Sequence, residues 1–587
     1  MSQHSFWIAG EGGATFVHLH LPCPKNDVRS TGLLVVPPPG HEYTHGYRAL
    51  RIFAGAAAAA GFAVIRTDLR GTGNSTEAER VGVDSWLEDI ERARQYLLQT
   101  VGLKNVVLFG VRASAFLALE SCKVEEGIIL WNPCSSGRSF IRELKVLAKV
   151  GTSDGHQAVL ESGGLVFDEI LQQSIERLKA SDFQSQIGRV LLVQRSDRQS
   201  DAVLTESLRQ RATSLHCMTN DDFISAFREP HNTQPPLGFI ESAVEWLRTE
   251  YPEITSSGLF VDLSTDQTIR QSTVLPNVTR FVEERVQNID GLFAILTHTP
   301  GTRSIVLIGN GGSAHHAGAN RLHVDLARGL AAQGIDCLRY DLANLGESVD
   351  VQTALECGAT TPTPEENNPY PKTAGRDVNA IMSWARQQGY SRVILAGLCA
   401  GAYAAFDVAR QANSAIPLEL VLINPLTFDW QEGMSLDIPN EYSNLQQAKA
   451  YESAAKDWGR WKRLLTGNID YQLLVRHLFD STIISFTSRW RDVALRLGLR
   501  EAPRLAQDLL QIAASGCKLR FYFAERDPGL EILSTAGERC LADLRKQGIL
   551  RIRTIKGADH TFKRICERDE LIRTIIEDME HEHGFSA

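Results

Sequence analysis

The sequence predicts an α/β protein of two tandem domains, each a mostly parallel sheet with helices on both faces. Residues 33–75 and the segment that begins at Ile305 align without a gap, pairing Arg48 with Arg321 and Asp68 with Asp341, an offset of 273. Each segment has a buried strand, a glycine-containing loop, an amphipathic helix, a second buried strand and a polar turn. Strands that alternate with helices in this way form parallel sheets covered on both faces.

The match between the two halves continues further along the chain. Gly110 ends an apolar run as Gly397 does, and Asn132-Pro133 matches Asn424-Pro425 after another short apolar strand. The fourteen residues added to the second half fall in a polar, proline-rich stretch around 360–370. A repeat period near 280 residues indicates a domain duplication and excludes a solenoid.

Domain boundaries follow from this repeat. We predict a first domain at 1–250, a linker at 251–262 around Pro252 and Gly258, and a second domain at 263–587. The second domain opens with a predicted hairpin that turns at Asp290-Gly291. Its strands, and those of the matching hairpin in the first domain, are Val278–Val286 with Leu292–Thr297 and Ser5–Ile8 with Thr15–Leu19.

Bulk composition restricts the class of protein. The chain has 587 residues, 43% hydrophobic and 22% charged, with a net charge of -9, which argues against nucleic acid as a partner. No run of about 18 uncharged apolar residues predicts a membrane span, and the N-terminus does not read as a secretory signal. The ten cysteines lack C-x-x-C pairs, so we expect reduced thiols, a cytoplasmic protein, and no metal or cofactor.

The motif Gly397-Leu398-Cys399-Ala400-Gly401 lies between the apolar run Val393–Ala396 and the helical pattern Ala402–Phe406. Such a strand, turn and helix make a nucleophile elbow, because small residues two before and two after the apex let the turn pinch. A thiol at the apex would form a thioester intermediate. The alternative is an inert buried cysteine in a strand–helix turn.

Two further groups follow in the order that a catalytic triad requires. Asp527 ends the predicted strand Leu519–Ala524, and His560 follows the predicted strand Leu550–Ile555. A carboxylate at the end of a parallel strand is well placed to orient a histidine. Asp559 is a rival for this role, but adjacent residues on an extended chain point apart, which favours Asp527.

The order nucleophile, acid, histidine resembles the α/β-hydrolase superfamily, twice over along the chain. Within it, residues 397–403 and 422–430 are similar to cysteine-containing, serine aminopeptidase-like hydrolases associated with exopolysaccharide or exosortase loci. The resemblance implies that Cys399 is the nucleophile, His560 the general base and acid, and Asp527 the group that orients His560.

The chemistry also needs an oxyanion hole, for which backbone N–H groups are the usual donors. We expect one donor to be the N–H of Ala400 and the second to come from the loop Asn310–Ala314, with Gly311 and Gly312 as candidates. The donor within that loop stays open. A helix N-terminus and a nearby imidazolium both favour the reactive thiolate form of a cysteine.

Substrate contacts are predicted from a cap and from the same loop. Some ninety residues, about 426–516, interrupt the core pattern where α/β hydrolases carry a cap over the pocket. Phe428 and Trp430 are candidates to line an apolar acyl or ring site, with ordinary packing as the alternative. His315 is a candidate substrate contact, with a solvent-exposed surface position as the alternative.

The first domain reads as a degenerate, non-catalytic copy. Arg112 stands where the second copy has Cys399, and arginine cannot act as a nucleophile at neutral pH. The segment 219–223 that matches His560 contains no histidine, and His231 is a poor substitute. Arg112 would bind an anionic ligand or form a salt bridge with Asp197.

Three functions therefore remain open. The first is a hydrolase of an ester or thioester that acts through an acyl-Cys399 intermediate, on a small-molecule or carrier-bound acyl substrate. The second is an acyltransferase to an alcohol or amine acceptor. The third is a scaffold or binding protein with two inactive copies. The sequence leaves homo-oligomerisation open.

Overall fold

A computed structural model describes residues 2–583 with interruptions. The interruptions are 24–26, 78–80, 151–158, 184, 198–200, 256–267, 276–277, 350–366, 412–418, 432–433 and 435–502. Most of the predicted cap at 426–516, and most of the predicted linker at 251–262, therefore lie outside the described residues. Within the described part of the chain, no helix is long and apolar enough to cross a membrane.

The first half contains ten strands and eight α-helices among its described residues. The strands are β1 (Ser2–Ile8), β2 (Thr15–Leu21), β3 (Thr31–Val36), β4 (Val64–Thr67), β5 (Asn105–Val111), β6 (Gly127–Trp131), β7 (Glu161–Ser162), β8 (Leu165–Val166), β9 (Ile187–Gln194) and β10 (Ala212–Thr219). The helices are α1 (His41–Ala59), α2 (Val83–Gln95), α3 (Ser114–Ser121), α4 (Gly137–Val150), α5 (Glu169–Glu176), α6 (Ala202–Arg211), α7 (Asp222–Ala226) and α8 (Leu237–Glu250).

The second half contains nine strands and seven α-helices among its described residues. The strands are β11 (Thr268–Leu275), β12 (Val278–Ile289), β13 (Leu292–His298), β14 (Ser304–Ile308), β15 (Asp336–Tyr340), β16 (Arg392–Leu398), β17 (Glu419–Ile423), β18 (Lys518–Ala524) and β19 (Leu550–Ile555). The helices are α9 (Leu322–Ala332), α10 (Ala374–Gln387), α11 (Ala400–Gln411), α12 (Arg504–Ala514), α13 (Gly529–Ser534), α14 (Glu538–Lys546) and α15 (Ile565–His583).

Each half builds one large sheet, and the two sheets share a core order. The first runs β1-β2-β4-β3-β5-β6-β9-β10 and the second β11-β12-β13-β15-β14-β16-β17-β18-β19. From β4 to β10 and from β15 to β19 the paired strands are parallel, whereas the leading hairpin strands of each sheet pair antiparallel. The predicted fold class, α/β with two mostly parallel sheets, is confirmed.

Helices cover both faces of each sheet. Along β3, Leu33 and Val35 pack into one apolar cluster with α1 and α8, while Leu34 and Val36 pack into another with α2 and α3. Along β14, alternate residues divide between two clusters in the same way. Because both faces are buried, these strands are continuously apolar, as parallel strands in α/β proteins are.

The predicted hairpin at the start of the second half is also confirmed. Strands β12 and β13 pair antiparallel from Ile289 and Leu292 outward. Between them Asp290 and Gly291 both have positive φ, 52° and 84°, as a two-residue type I′ turn requires.

The polar turn that repeats in both halves is stabilised by an aspartate and a serine in each copy. Asp341 accepts a hydrogen bond from the Glu347 N–H at 2.9 Å, and the Ser348 hydroxyl donates to the Asp341 carbonyl at 2.7 Å. In the first half, the Asp68 carboxylate accepts from the Asn74 N–H at 2.8 Å, and the Ser75 hydroxyl donates to the Asp68 carbonyl at 2.5 Å.

These two turns also meet in the contact between the halves. Arg66 in β4 donates two hydrogen bonds to the Glu347 carboxylate, at 2.8 and 2.7 Å, and both side chains are buried. In the matching position, Arg339 in β15 donates to the Asn74 amide oxygen at 2.8 Å. Since Arg66 aligns with Arg339 and Asn74 with Glu347, the contact is reciprocal, as in a two-fold symmetric interface.

Candidate active site

The local geometry at Cys399 is that of a tight strand-to-helix turn. Strand β16 ends at Leu398, α11 begins at Ala400, and Cys399 between them has φ 56°. A Cβ on Gly397 would lie 2.3 Å from the carbonyl carbon of Gly401. A Cβ on Gly401 would lie 2.5 Å from the Asn310 carbonyl oxygen. The turn therefore requires glycine at both flanking positions, as the sequence motif predicts.

His560 and Asp527 meet at the same edge of the sheet. The Nδ1 atom of His560 is hydrogen-bonded to the Asp527 carboxylate, and the second carboxylate oxygen accepts from the Gly529 N–H at 2.8 Å. Asp527 is fully buried, whereas the His560 side chain is 32% exposed. The Asp559 carboxylate instead accepts from backbone N–H groups of its own loop, including that of Thr561 at 3.2 Å. The structure thus pairs His560 with Asp527.

The electrostatics of His560 connect it to Cys399. Burial disfavours a charged imidazole, but hydrogen bonds to Asp527 and to Cys399 outweigh this effect and raise the pKa of His560 to about 10. His560 is hydrogen-bonded to Asp527, and its pKa also responds to the neighbouring Cys399. At neutral pH His560 therefore holds its proton.

The raised pKa of His560 predicts how stability depends on pH. The folded protein holds this proton more tightly than the unfolded chain, whose histidine pKa is about 6.5. Its contribution is full below about pH 6.5 and is lost as the pH rises to about 10. We expect the unfolding free energy, measured by urea titration, to fall more steeply over this range in wild type than in His560→Gln. Parallel pH profiles for the two proteins would contradict the assignment.

The candidate oxyanion donors lie around the elbow. Ala400 is the first residue of α11, and the first N–H groups of a helix have no partner within the helix. Gly311 lies against the elbow, because a Cβ there would contact the Leu398 side chain at 3.4 Å. At Gly312, φ is 64° and a Cβ would meet nothing within 4 Å. A role for these three residues in an oxyanion hole stays a prediction.

Tyr370 is a site residue that the sequence analysis missed. Burial, together with the neighbouring Cys399, raises the pKa of Tyr370 above its ordinary value. Its ring stacks on Trp430, with centroids 4.1 Å apart. Tyr370 ends the stretch of the second half that has no counterpart in the first, and no periodic pattern there indicates a role for it. Its position between Pro369 and Pro371 is the one local feature of the sequence that marks it.

The two aromatic residues predicted to contact substrate lie in different surroundings. Trp430 reaches the thiol's surroundings through Tyr370. Phe428 is 6% exposed and packs edge-on against Phe406 and Phe521 in the core, which agrees with the packing alternative.

The solvent-exposed alternative for His315 is wrong. This side chain is 2% exposed, and its ring stacks on Tyr47 of the first half with centroids 3.7 Å apart. Burial holds the pKa of His315 well below its usual range, so the imidazole is neutral. His315 therefore contributes to the contact between the halves, and a substrate contact through it stays a prediction.

The elbow of the first half carries a buried, ion-paired arginine. Arg112 has φ 52°, close to that of Cys399, but its buried guanidinium donates to Glu42 at 2.8 Å and to Glu143 at 2.6 Å. The expected salt bridge between Arg112 and Asp197 is wrong, because Asp197 pairs with Arg195, two residues before it in the chain. The carboxylate partners of Arg112 lie on α1 and α4, which no local pattern in the sequence connects to the elbow.

Arg112 is expected to serve stability. Removing it leaves the Glu42 carboxylate buried without its counterion, a change that costs about 3 kcal/mol or more. We expect Arg112→Met to lower the unfolding free energy by this amount in urea titrations, while covalent labelling of Cys399 at 25 °C is retained. Lys179→Met, which removes an exposed ion pair with Asp182, is the control and should change stability little. Unchanged stability in Arg112→Met would contradict the role of the pair.

Comparisons with known proteins identify fold neighbours only. No protein-family profile matches the chain, and no curated protein matches it. A lidless α/β serine hydrolase from Xanthomonas campestris is 14% identical, with a TM-score of 0.30, over 43% of this chain and 98% of its own. Est1E from Butyrivibrio proteoclasticus is 12% identical, with a TM-score of 0.30, over 42% and 98%. A dienelactone hydrolase from Anabaena variabilis is 12% identical, with a TM-score of 0.28, over 54% and 98%. Likenesses this weak assign no activity, so the chemistry of the site rests on its own geometry.

Proposed function

We propose that the protein is an acyl-transfer enzyme that hydrolyses an ester or thioester through an acyl-cysteine intermediate on Cys399. The observation that carries the proposal is the His560–Asp527 pair with Cys399 as its neighbour at one edge of a parallel sheet. The positive φ of Cys399 and the raised pKa of His560 support it further. Perturbed histidines beside a potential nucleophile are typical of catalytic sites.

In the first chemical step, the Cys399 thiolate attacks the carbonyl carbon of the substrate and a C–S bond forms. The negative charge moves to the carbonyl oxygen, near the N–H groups of Ala400 and the Gly311–Gly312 loop. The intermediate then collapses, the bond to the leaving alcohol or thiol breaks, and His560 gives its proton to that leaving group. An acyl thioester on Cys399 and a neutral imidazole remain.

In the second step, His560 takes a proton from water, and the resulting hydroxide attacks the thioester carbonyl. The C–S bond breaks, the carboxylic acid leaves, and the pair of thiolate and imidazolium is restored. Asp527 keeps the Nδ1 atom of His560 occupied throughout, so that the other ring nitrogen serves both proton transfers. Tyr370 and Trp430 would form an aromatic wall beside the acyl group.

An alcohol or amine in place of water would make the same intermediate serve acyl transfer. Intact-protein mass spectrometry after a short pulse of p-nitrophenyl esters and of acyl thioesters separates the alternatives. We expect an acyl adduct that decays in buffer alone. An adduct that decays only when an alcohol or amine is added would assign acyl transfer, and no adduct with any donor would contradict the proposal.

The first half, in this proposal, is a duplicated copy that has lost its chemistry. Its elbow keeps the backbone conformation of the Cys399 turn, but Arg112 stands in place of the nucleophile and its guanidinium is paired with Glu42. The remaining role is structural support for the second half.

A further inference from the structure

A short hairpin of the first half contacts the loop that carries His560. Strands β7 and β8 form a hairpin that turns through Gly163 and Gly164, both at positive φ. The Glu161 carboxylate on this hairpin accepts a hydrogen bond from the Ile565 N–H at 2.8 Å. A Cβ on Gly164 would lie 2.3 Å from the Asn320 carbonyl oxygen, so the hairpin also packs closely on the second half.

Ile565 is the first residue of α15, directly after the His560 loop. The first N–H groups of a helix lack partners within the helix, and the helix N-terminus favours a negative charge. Glu161 satisfies one of these groups from the other half of the molecule. It therefore fixes the point at which the His560 loop enters α15.

Two further hydrogen bonds hold the same loop, both from the second half. The Asn424 side chain donates to the His560 carbonyl at 2.8 Å, and the Asn320 side chain donates to the Thr561 carbonyl at 3.0 Å. Asn320 lies directly under Gly164, and Arg568 of α15 donates to its carbonyl at 2.5 Å. The hairpin thus contacts the loop both directly, through Glu161, and indirectly, through Asn320.

The hairpin is itself anchored in the first half. The Ser162 hydroxyl accepts a hydrogen bond from the His41 N–H at 3.0 Å, at the start of α1. The next residue of α1, Glu42, is the carboxylate that pairs with Arg112. The elbow of the first half and the His560 loop of the second are therefore joined through one short hairpin.

We propose that Glu161 is a positioning residue, through which the first half sets the place of His560 relative to Cys399. The catalytic meaning of this inference rests on the proposed function. The hairpin fixes one end of the His560 loop through a hydrogen bond. A displacement of a catalytic group by about 1 Å lowers the rate by up to about a hundredfold. The first half would then be needed for activity although it performs no chemistry.

The test is the rate at which iodoacetamide alkylates Cys399, followed by peptide mass spectrometry from pH 5 to 9. Alkylation requires a thiolate, a form that a nearby imidazolium favours, and it requires no acyl substrate. We expect Glu161→Ala to slow alkylation at pH 7 about tenfold or more and to move the half-maximal rate to higher pH by about one unit. Glu161→Gln, which keeps an acceptor oxygen, should stay close to wild type.

Glu169→Gln is the matched control, because Glu169 follows the hairpin closely in the chain and its carboxylate accepts a hydrogen bond from Gln173 within α5. A merely structural role for Glu161 would lower the melting temperature without moving the pH profile, and that result would overturn the proposal. Superimposable pH profiles for wild type and Glu161→Ala would overturn it as well. Because alkylation by iodoacetamide needs no acyl transfer, its pH profile can be interpreted even if no acyl adduct forms. An acyl adduct can likewise be interpreted if Glu161→Ala leaves the alkylation profile unchanged.

Discussion

Cys399→Ala should abolish turnover of activated esters and thioesters, with kcat/KM at least about 10⁴-fold below wild type. The substitution removes the atom that forms the covalent bond, and in triad enzymes loss of the nucleophile leaves only the catalysis supplied by binding and the oxyanion donors. The change is small in volume at a residue that is partly exposed, so the fold should be retained. Steady-state release of p-nitrophenol, read beside circular dichroism, measures both quantities.

Cys566→Ala is the matched control for this experiment. Cys566 is an exposed thiol in the first turn of α15, close in sequence to His560 but outside the proposed chemistry. It should keep wild-type kcat and KM. Equal activity in Cys399→Ala and Cys566→Ala would exclude Cys399 as the nucleophile.

Glu347→Ala should lower the unfolding free energy by about 3–5 kcal/mol, the largest effect on stability that we expect. Burial alone would raise the pKa of Glu347, but the Arg66 guanidinium holds this pKa well below its usual range, so the carboxylate is charged. Its removal leaves the Arg66 guanidinium buried between the halves without a counterion. Breaking a buried pair by removing one partner has a cost of this size.

The double variant Arg66→Met/Glu347→Leu should recover most of that loss, because replacing both charges with apolar groups leaves no buried ion behind. Glu206→Ala, which removes an exposed ion pair with Arg209, is the control and should change stability little. Urea titration of the four proteins makes the comparison. A double variant no more stable than Glu347→Ala would contradict the explanation.

Local patterns in the sequence were sufficient to predict the fold class, the hairpin at Asp290-Gly291 and the shape of the elbow. Each depends on residues close together in the chain: apolar runs, glycines two positions from an apex, and a two-residue turn. The pairing of His560 with Asp527 could also be predicted, since both follow parallel strands and such strand ends meet at one edge of a sheet.

Contacts across the molecule could not be predicted in the same way. Glu42 and Glu143 reach Arg112 from two helices, and only the packed structure shows that they, not Asp197, neutralise it. His315 is buried because the two halves dock through Tyr47, which neither half indicates by itself. Tyr370 reaches Cys399 from an unmatched stretch without helical or strand periodicity.

The central claim is that an acyl group becomes covalently attached to Cys399. The most direct measurement is peptide mapping by mass spectrometry of wild-type protein, quenched in acid after a pulse of acyl thioester. We expect the added acyl mass on the peptide that contains Cys399 and on none of the nine other cysteines. An adduct on any other cysteine, or an unmodified Cys399 while substrate is consumed, would contradict the account.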